Sequence, residues 1–228
     1  MVGGVPPLKG AAVILLKTAL ILALTSATPE AAPAKPGCAT TNIEVALRHL
    51  FERYKDGGTL DVARDSGEPI TPQFIAESLK VRDVPNGYAL VESPDLIETY
   101  EAALFKNPNG YHLVVVSSGA SVSHTAVFKC DAEGLKADNT ALQLSDADAI
   151  QLYADAGLLK ANAKKGLSEQ TLKDWAGSIV TLALPRKGRV ITIKANVDEP
   201  AGVYGKKLGT VDYVDGRFVV SSLAKKAR

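Results

Sequence analysis

The sequence has few cysteines, few aromatic residues and almost no net charge. It holds two cysteines and three histidines among 228 residues, and only 6% of its residues are aromatic. Two cysteines are too few for a disulfide-rich scaffold or a structural zinc site. The 26 basic and 25 acidic residues leave a formal charge of +1, which indicates no electrostatic surface for nucleic acid. The remaining composition, 46% hydrophobic, is that of an ordinary globular protein.

The first 34 residues differ in composition from the rest of the chain. A basic front precedes the apolar stretch 11–24, and small residues and a Pro/Ala-rich stretch follow it. This three-part pattern predicts a secretory signal peptide, cleaved after Ala27 or after Ala34. The alternative is an uncleaved membrane anchor over residues 10–27, the shortest length that spans a bilayer.

Residues 35–228 are predicted to form a single α+β domain. Removing the first 34 residues takes away two lysines and one glutamate, and leaves a chain without net charge. We therefore expect no nucleic-acid partner and, after cleavage, no membrane partner. A periplasmic or secreted protein is indicated, with a protein partner in the envelope or outside the cell as one option.

Export changes the interpretation of the two cysteines. In an oxidising compartment Cys38 and Cys130 have one obvious partner each. A bridge between them would close a loop of roughly 90 residues and contribute about 4–5 kcal/mol in the chain-entropy model. We predict this disulfide. A catalytic role for either cysteine is not indicated, because neither has a neighbouring histidine or a Cys-x-x-Cys partner.

Helical spacing and capping signals predict five helices. Thr41 and Glu44 form a capping-box pattern at the start of the first helix, and Ser145 with Asp148 forms another. The predicted helices cover residues 41–55, a short segment from Thr71, and residues 93–105, 145–157 and 168–175.

Strands are predicted between these helices and at the end of the chain. Pro85–Val91 and Pro108–Val114 match at six of seven positions, and in each copy a Pro-Asn-Gly turn leads into strand-forming residues. Further strands are predicted over residues 111–118, 121–130, 179–184, 189–194, 209–214 and 217–221. This order predicts an α+β fold with a mostly antiparallel sheet and helices packed on one face, with a curved, cone-like sheet as an architectural analogy.

The hairpin around Gly119-Ala120 divides its side chains between two faces. A two-residue turn would pair Ser117 with Val122 and leave His124 diagonal to Ser117. The more apolar face, which should meet the helices, then carries the following residues: Tyr111, Leu113, Val115, Ser117, Val122, His124, Ala126 and Phe128. The opposite face carries His112, which we expect at the surface.

His124 is the leading candidate for chemistry because it interrupts an apolar face. With Ser117 or Tyr111 assisting, it could act as a general base in a small hydrolase or lyase. No G-x-S-x-G nucleophile elbow is present, however, and diagonal strand neighbours are too far apart for a hydrogen bond by backbone geometry alone. A pocket-lining binding role is the alternative for His124. The spacing of the three histidines fits no metal motif, and no cofactor is indicated.

The exposed binding-loop candidate is the segment 198–208. It is rich in glycine and carries Tyr204, Lys206 and Lys207. The absence of catalytic motifs beside an export signal favours an exported, non-enzymatic binding protein, either inhibitor- or immunity-like or specific for a small ligand. The alternatives are the His124 hydrolase or lyase and a membrane-anchored envelope component.

Overall fold

The computed structural model describes one compact unit within Ala34–Arg228. The residues it describes are 42–54, 66–68, 71–96, 98–108, 110–119, 122–131, 134–160, 166–197 and 202–223. The predicted signal peptide, Thr41 and Cys38 lie outside these ranges. The signal peptide, the domain boundary and the disulfide to Cys130 therefore stay predictions.

Four helices are described: α1 (Ile43–Tyr54), α2 (Pro72–Glu77), α3 (Asp146–Asp155) and α4 (Glu169–Lys173). All four were predicted from their caps and spacing. The capping box of α3 is present as predicted: the Ser145 hydroxyl accepts the Asp148 N–H, and the Asp148 carboxylate accepts the Ser145 N–H. At α1 the described capping side chain is Asn42, whose Oδ1 accepts the Glu44 N–H at 2.9 Å.

The first sheet is an antiparallel meander of six strands in sequence order. Its strands are β1 (Leu79–Asp83), β2 (Tyr88–Val91), β3 (Thr99–Asn107), β4 (Gly110–Ser118), β5 (Ser123–Asp131) and β6 (Gly134–Ala137). A short 3₁₀ helix, Val84–Asn86, joins β1 to β2 and ends at Gly87, which has a positive φ of 65°. The sequence did not predict the edge strands β1 and β6.

The second sheet is an antiparallel meander of four strands, all of which were predicted. They are β7 (Val180–Ala183), β8 (Val190–Ala195), β9 (Lys207–Val214) and β10 (Arg217–Ser222). The Asp215-Gly216 turn joins β9 to β10 with φ of 49° and 80°. Positive φ at both residues is what a two-residue type I′ hairpin turn requires.

Alternate residues of the first sheet enter two different hydrophobic clusters. Ala102 and Leu113 belong to a cluster with the buried face of α1 and with Ile75 of α2. Their sequence neighbours Ala103 and Val114 belong to a second cluster, which also holds the inward residues of the second sheet and of α3 and α4. The first sheet is therefore buried on both faces, as the alternation of side chains along a strand allows.

The predicted helix over residues 93–105 is wrong. Ser93 does form a local turn, since its hydroxyl accepts the Asp95 N–H at 3.3 Å, but the chain then extends into β3. Tyr100 is buried in the cluster of α1, and Phe105 is buried in the other cluster. Backbone pairing with β2 and β4, together with burial on both faces, outweighs the helical preference of this segment.

The hairpin of β4 and β5 has a longer turn than predicted. Ser118 pairs with Ser123, so the register shifts by two residues and places Ser117 directly opposite His124. A shift of two residues keeps every side chain on its predicted face. Leu113 and Phe128 accordingly lie in the cluster that holds α1, as the sequence predicts.

The fold is mixed α+β and mostly strand, but it has two antiparallel sheets where the sequence predicted one. The four helices contribute to two clusters, and the structure does not show helices collected on one face of a single cone-like sheet. Two polar contacts tie the sheets together. Arg186 Nε donates to Asp83 Oδ2 at 2.8 Å, and the Leu184 N–H donates to Glu101 Oε2 at 2.9 Å.

Candidate ligand-binding site

A cavity of about 760 Å³ opens between β5, β7 and the N-terminal end of α3. Ser123, Thr125 and Val127 of β5 form one side, and Val180 and Leu182 of β7 form another. The segment that connects β6 to α3 closes the third side. This volume lies inside the range of about 300–1,000 Å³ that is typical of small-molecule sites.

The lining is apolar on some walls and polar on others. The apolar residues are Val127, Leu142, Leu144, Ala149, Ile179, Val180 and Leu182. Several of them continue into the hydrophobic cluster between the two sheets. The polar residues are Ser123, Thr125, Asn139, Gln143, Ser145 and Ser178, with three carboxylates, Asp138, Asp146 and Asp148. A ligand with an apolar body and hydrogen-bonding groups would complement this lining.

Hydroxyl groups fix the edge where β5 meets β7. The Ser178 hydroxyl donates to the Ser123 carbonyl at 2.7 Å and accepts the Ser123 N–H at 3.2 Å. The hydroxyls of Ser123 and Thr181 lie 2.9 Å apart. This wall is therefore held in place by the protein's own hydrogen bonds, which favours a preformed site.

Two of the three carboxylates are positioned by local hydrogen bonds. The Ser145 hydroxyl donates to Asp148 Oδ2 at 2.6 Å, and this bond is the main reason that the pKa of Asp148 lies below its usual value. Asp138 Oδ1 accepts both the N–H and the hydroxyl of Thr140, at 3.3 and 3.0 Å. Both side chains are thus held where they border the cavity.

Asp138 also connects the cavity to a buried polar chain between the two sheets. Its Oδ2 lies 3.8 Å from Nε2 of His112, which is buried on β4. His112 Nδ1 lies 2.9 Å from the hydroxyl of Tyr213 on β9, and Asn107 Nδ2 donates to that hydroxyl at 3.3 Å. Since the Tyr213 oxygen accepts from Asn107, its own proton is directed to Nδ1, and Nε2 carries the proton of neutral His112.

The environment of His112 favours its neutral form. The side chains of Tyr213 and Phe218 surround the ring, with centroids 5.7 and 5.6 Å from its own. Burial is the main cause that lowers the pKa of His112, and the nearby charge of Lys129 lowers it further, while Asp138 acts in the opposite direction. His112 is therefore uncharged at neutral pH.

The prediction that His112 lies at the surface is wrong, because its exposed fraction is 6%. The sequence analysis assigned the polar side of the hairpin to solvent, whereas the second sheet covers that side. One signal was available in the two matching heptapeptides. Their only difference places His112 where the other copy has Ala89, which is also buried.

Ser117 and His124 are brought together, whereas Tyr111 is not. Ser117 is 3% exposed, while His124, directly opposite on β5, is exposed. No hydrogen bond joins these two side chains in the part of the chain that the structure describes. Tyr111 lies six residues from Ser117 along β4, roughly 20 Å away in an extended strand. His49, predicted to be solvated, is half-buried on α1.

The residues of the predicted binding loop lie apart from the cavity lining. Tyr204 is 61% exposed, and Lys206 and Lys207 are exposed near the start of β9. The backbone there is held to β8, since the Ala195 N–H donates to the Lys206 carbonyl and the Gly205 N–H to the Ala195 carbonyl. Residues 198–201 of the predicted loop lie outside the described ranges.

Among the described residues, no group of three or more histidine, cysteine, aspartate or glutamate side chains is placed to hold a metal ion. No described helix is both long and apolar enough to cross a membrane. The chain matches no protein-family model, no curated protein and no solved structure. The cavity and its contacts are therefore the basis for an assignment of function.

Proposed function

We propose that this chain is an exported, non-enzymatic binding protein that holds a small amphipathic ligand in the cavity between β5, β7 and α3. The observation that carries the proposal is the cavity itself: it has the volume of a small-molecule site, and its walls combine apolar side chains with fixed polar groups. The ligand's apolar part would pack on residues such as Leu142 and Leu182, and its polar groups would bind the carboxylates and hydroxyls.

Three fragments of similar size and different charge test the proposal: phenethylamine, 2-phenylethanol and phenylacetate. A fragment of about nine non-hydrogen atoms that gains about 0.45 kcal/mol per atom binds with a dissociation constant of about 1 mM. We expect at least one fragment to shift the backbone NMR signals of Leu142, Ala149 and Leu182, and to saturate in the millimolar range.

A cavity-filling variant provides the control for this titration. Val180→Trp places a large side chain in the lining, whereas Val220→Trp places the same side chain at an exposed position of β10. Binding should be lost in the first variant and kept in the second. The proposal is wrong if no fragment shifts these signals in the wild type, or if Val180→Trp binds as well as Val220→Trp while remaining folded.

Export belongs to the same proposal and rests on the sequence of the first 34 residues. The intact mass of the protein from its own cells tests it, with free thiols alkylated before reduction. A chain that begins at Thr28 or Lys35 with both cysteines protected supports export and the Cys38–Cys130 bridge. A full-length chain with two free thiols contradicts both, and a full-length chain in the membrane fraction would support the anchored form.

A hydrolase or lyase that uses His124 is the second candidate, and the observation in its favour is the cross-strand pairing of Ser117 with His124. Burial of Ser117 argues against it, because a nucleophile must reach a substrate carbonyl. Binding in the cavity therefore remains the better-supported function.

A further inference from the structure

The charges that border the cavity are of one sign. Asp138, Asp146 and Asp148 are among its lining residues, and no lysine, arginine or histidine is among those described. The N-terminal end of α3 would otherwise favour an anion. Here its first turn contains Asp146 and Asp148, and Ser145 caps it, so its partial positive charge is already offset. A ligand with a positive charge complements this site better than a neutral or anionic one.

Asp138 is the carboxylate with the geometry to bind such a ligand. Thr140 donates two hydrogen bonds to Oδ1, which holds the side chain in position. The contact from Oδ2 to His112 Nε2 is 3.8 Å, longer than a hydrogen bond. Oδ2 thus has the capacity to accept a short, charge-assisted hydrogen bond of about 2.7–2.9 Å from an ammonium group.

The polar chain behind Asp138 keeps this capacity available. Lys129, Asp138 and Tyr213 are the titratable groups that face His112, and Asn107 completes the chain through Tyr213. While His112 is neutral, it does not neutralise Asp138. Once His112 is protonated, an imidazolium lies beside Oδ2 and competes with any other cation for the same carboxylate.

We propose that the ligand of this cavity is a small amphipathic amine whose ammonium group donates to Asp138, while its apolar part packs on Leu142 and Leu182. This inference rests on the proposed binding function and adds the chemical class of the ligand. It assigns Asp138 as the residue that determines specificity and His112 as a residue that acts through it.

The three fragments separate this inference from the binding function. Phenethylamine should bind wild-type protein about tenfold more tightly than 2-phenylethanol, a ratio equivalent to about 1.4 kcal/mol. Phenylacetate should bind most weakly. In Asp138→Asn the amine should bind no better than the alcohol, because the charge is lost while an amide oxygen still accepts from Thr140. Asp174→Asn removes an exposed carboxylate outside the cavity lining and should keep the preference.

Acidification gives a second readout that a purely structural role of Asp138 would not change. Between about pH 7.5 and pH 5 the affinity for the amine should fall as His112 gains a proton, whereas the affinity for the alcohol should stay constant. In His112→Gln the affinity for the amine should lose this pH dependence.

Each outcome distinguishes the two proposals. Equal binding of all three fragments in the cavity overturns the amine assignment and leaves the binding function standing. The same holds if Asp138→Asn keeps the preference for the amine. If no fragment binds wild-type protein, the binding function fails and the amine assignment fails with it.

Discussion

Two buried tyrosines offer a sharp test of the packing described above, because their hydroxyl groups differ in one respect. Tyr153 of α3 is fully buried, and its hydroxyl donates to the carbonyl of Ile179. Tyr111 of β4 is 2% exposed, and its hydroxyl has no hydrogen-bond partner. Burial raises the pKa of both phenols, that of Tyr111 to about 12. Replacing each tyrosine with phenylalanine removes one oxygen and keeps the ring.

The two substitutions should change stability in opposite directions. Tyr153→Phe loses a buried hydrogen bond, which contributes about 1 kcal/mol to the free energy of unfolding. The loss stays near that value because the Ile179 carbonyl still accepts the Asn196 N–H at 3.0 Å. Tyr111→Phe removes a buried polar group that is not hydrogen-bonded, and the burial of such a group costs about 1–3 kcal/mol. We expect Tyr111→Phe to leave stability unchanged or raise it by up to about 1 kcal/mol.

Urea unfolding monitored by the fluorescence of Trp175, the single tryptophan, measures both effects. A change of 1 kcal/mol corresponds to a shift of about 2–4 °C in Tm for a domain of this size. Tyr204→Phe, at an exposed position, is the neutral control. If Tyr111→Phe loses as much stability as Tyr153→Phe, the assignment of the two hydroxyl environments is refuted.

Two further variants test the packing of β10 and the contact between the sheets. A Cβ at Gly209 would lie 2.5 Å from the Ser221 carbonyl oxygen, so Gly209→Ala should lower the free energy of unfolding by about 1–3 kcal/mol. Gly119→Ala, where the nearest atom is 3.5 Å away, should not change it in the same urea titration. The hydrogen bond from Arg186 is the main cause that holds the pKa of Asp83 below 3.8. The stabilisation that it provides is present above that pH and is lost as the pH falls through the folded-state pKa, so the deficit of Arg186→Gln should vanish in acid unfolding curves. A deficit independent of pH would contradict this.

Much of the secondary structure follows from local signals in the sequence. Ser145 and Asp148 identify the start of α3 because both partners of the capping box lie within four residues. Asp215-Gly216 identifies the β9–β10 hairpin because both residues tolerate positive φ. The alternation along β4 assigned Leu113 to the face that meets α1, and this assignment survived an error of two residues in the register.

The two matching heptapeptides show where local signals stop. Each copy turns at Pro-Asn-Gly and enters a strand, as predicted. However, Tyr88 of the first copy lies in the cluster between the sheets, and Tyr111 of the second lies in the cluster with α1. The same residues in the same order face opposite sides of one sheet, because the pairing with neighbouring strands decides which way each copy is turned.

The candidate site was the least predictable part of the molecule. Asp138 and His112 are 26 residues apart, and Tyr213 is a further 101 residues along the chain from His112. The sequence gave no reason to connect them, and it directed attention to His124 and the segment 198–208 instead. Only the packing of β9 against β4 brings Tyr213 to His112, and only the turn after β6 brings Asp138 to both His112 and the cavity.

The sequence by itself determined the helix caps, the hairpin turns and the alternation of most strands, because each depends on residues within a few positions of one another. It also carries the export signal on which the proposed location rests. The tertiary structure alone decided that residues 99–107 form β3, that a second sheet buries His112, and that a cavity opens beside Asp138. These outcomes depend on which surfaces distant segments bury against each other, and that free energy exceeds the local preferences of any single segment.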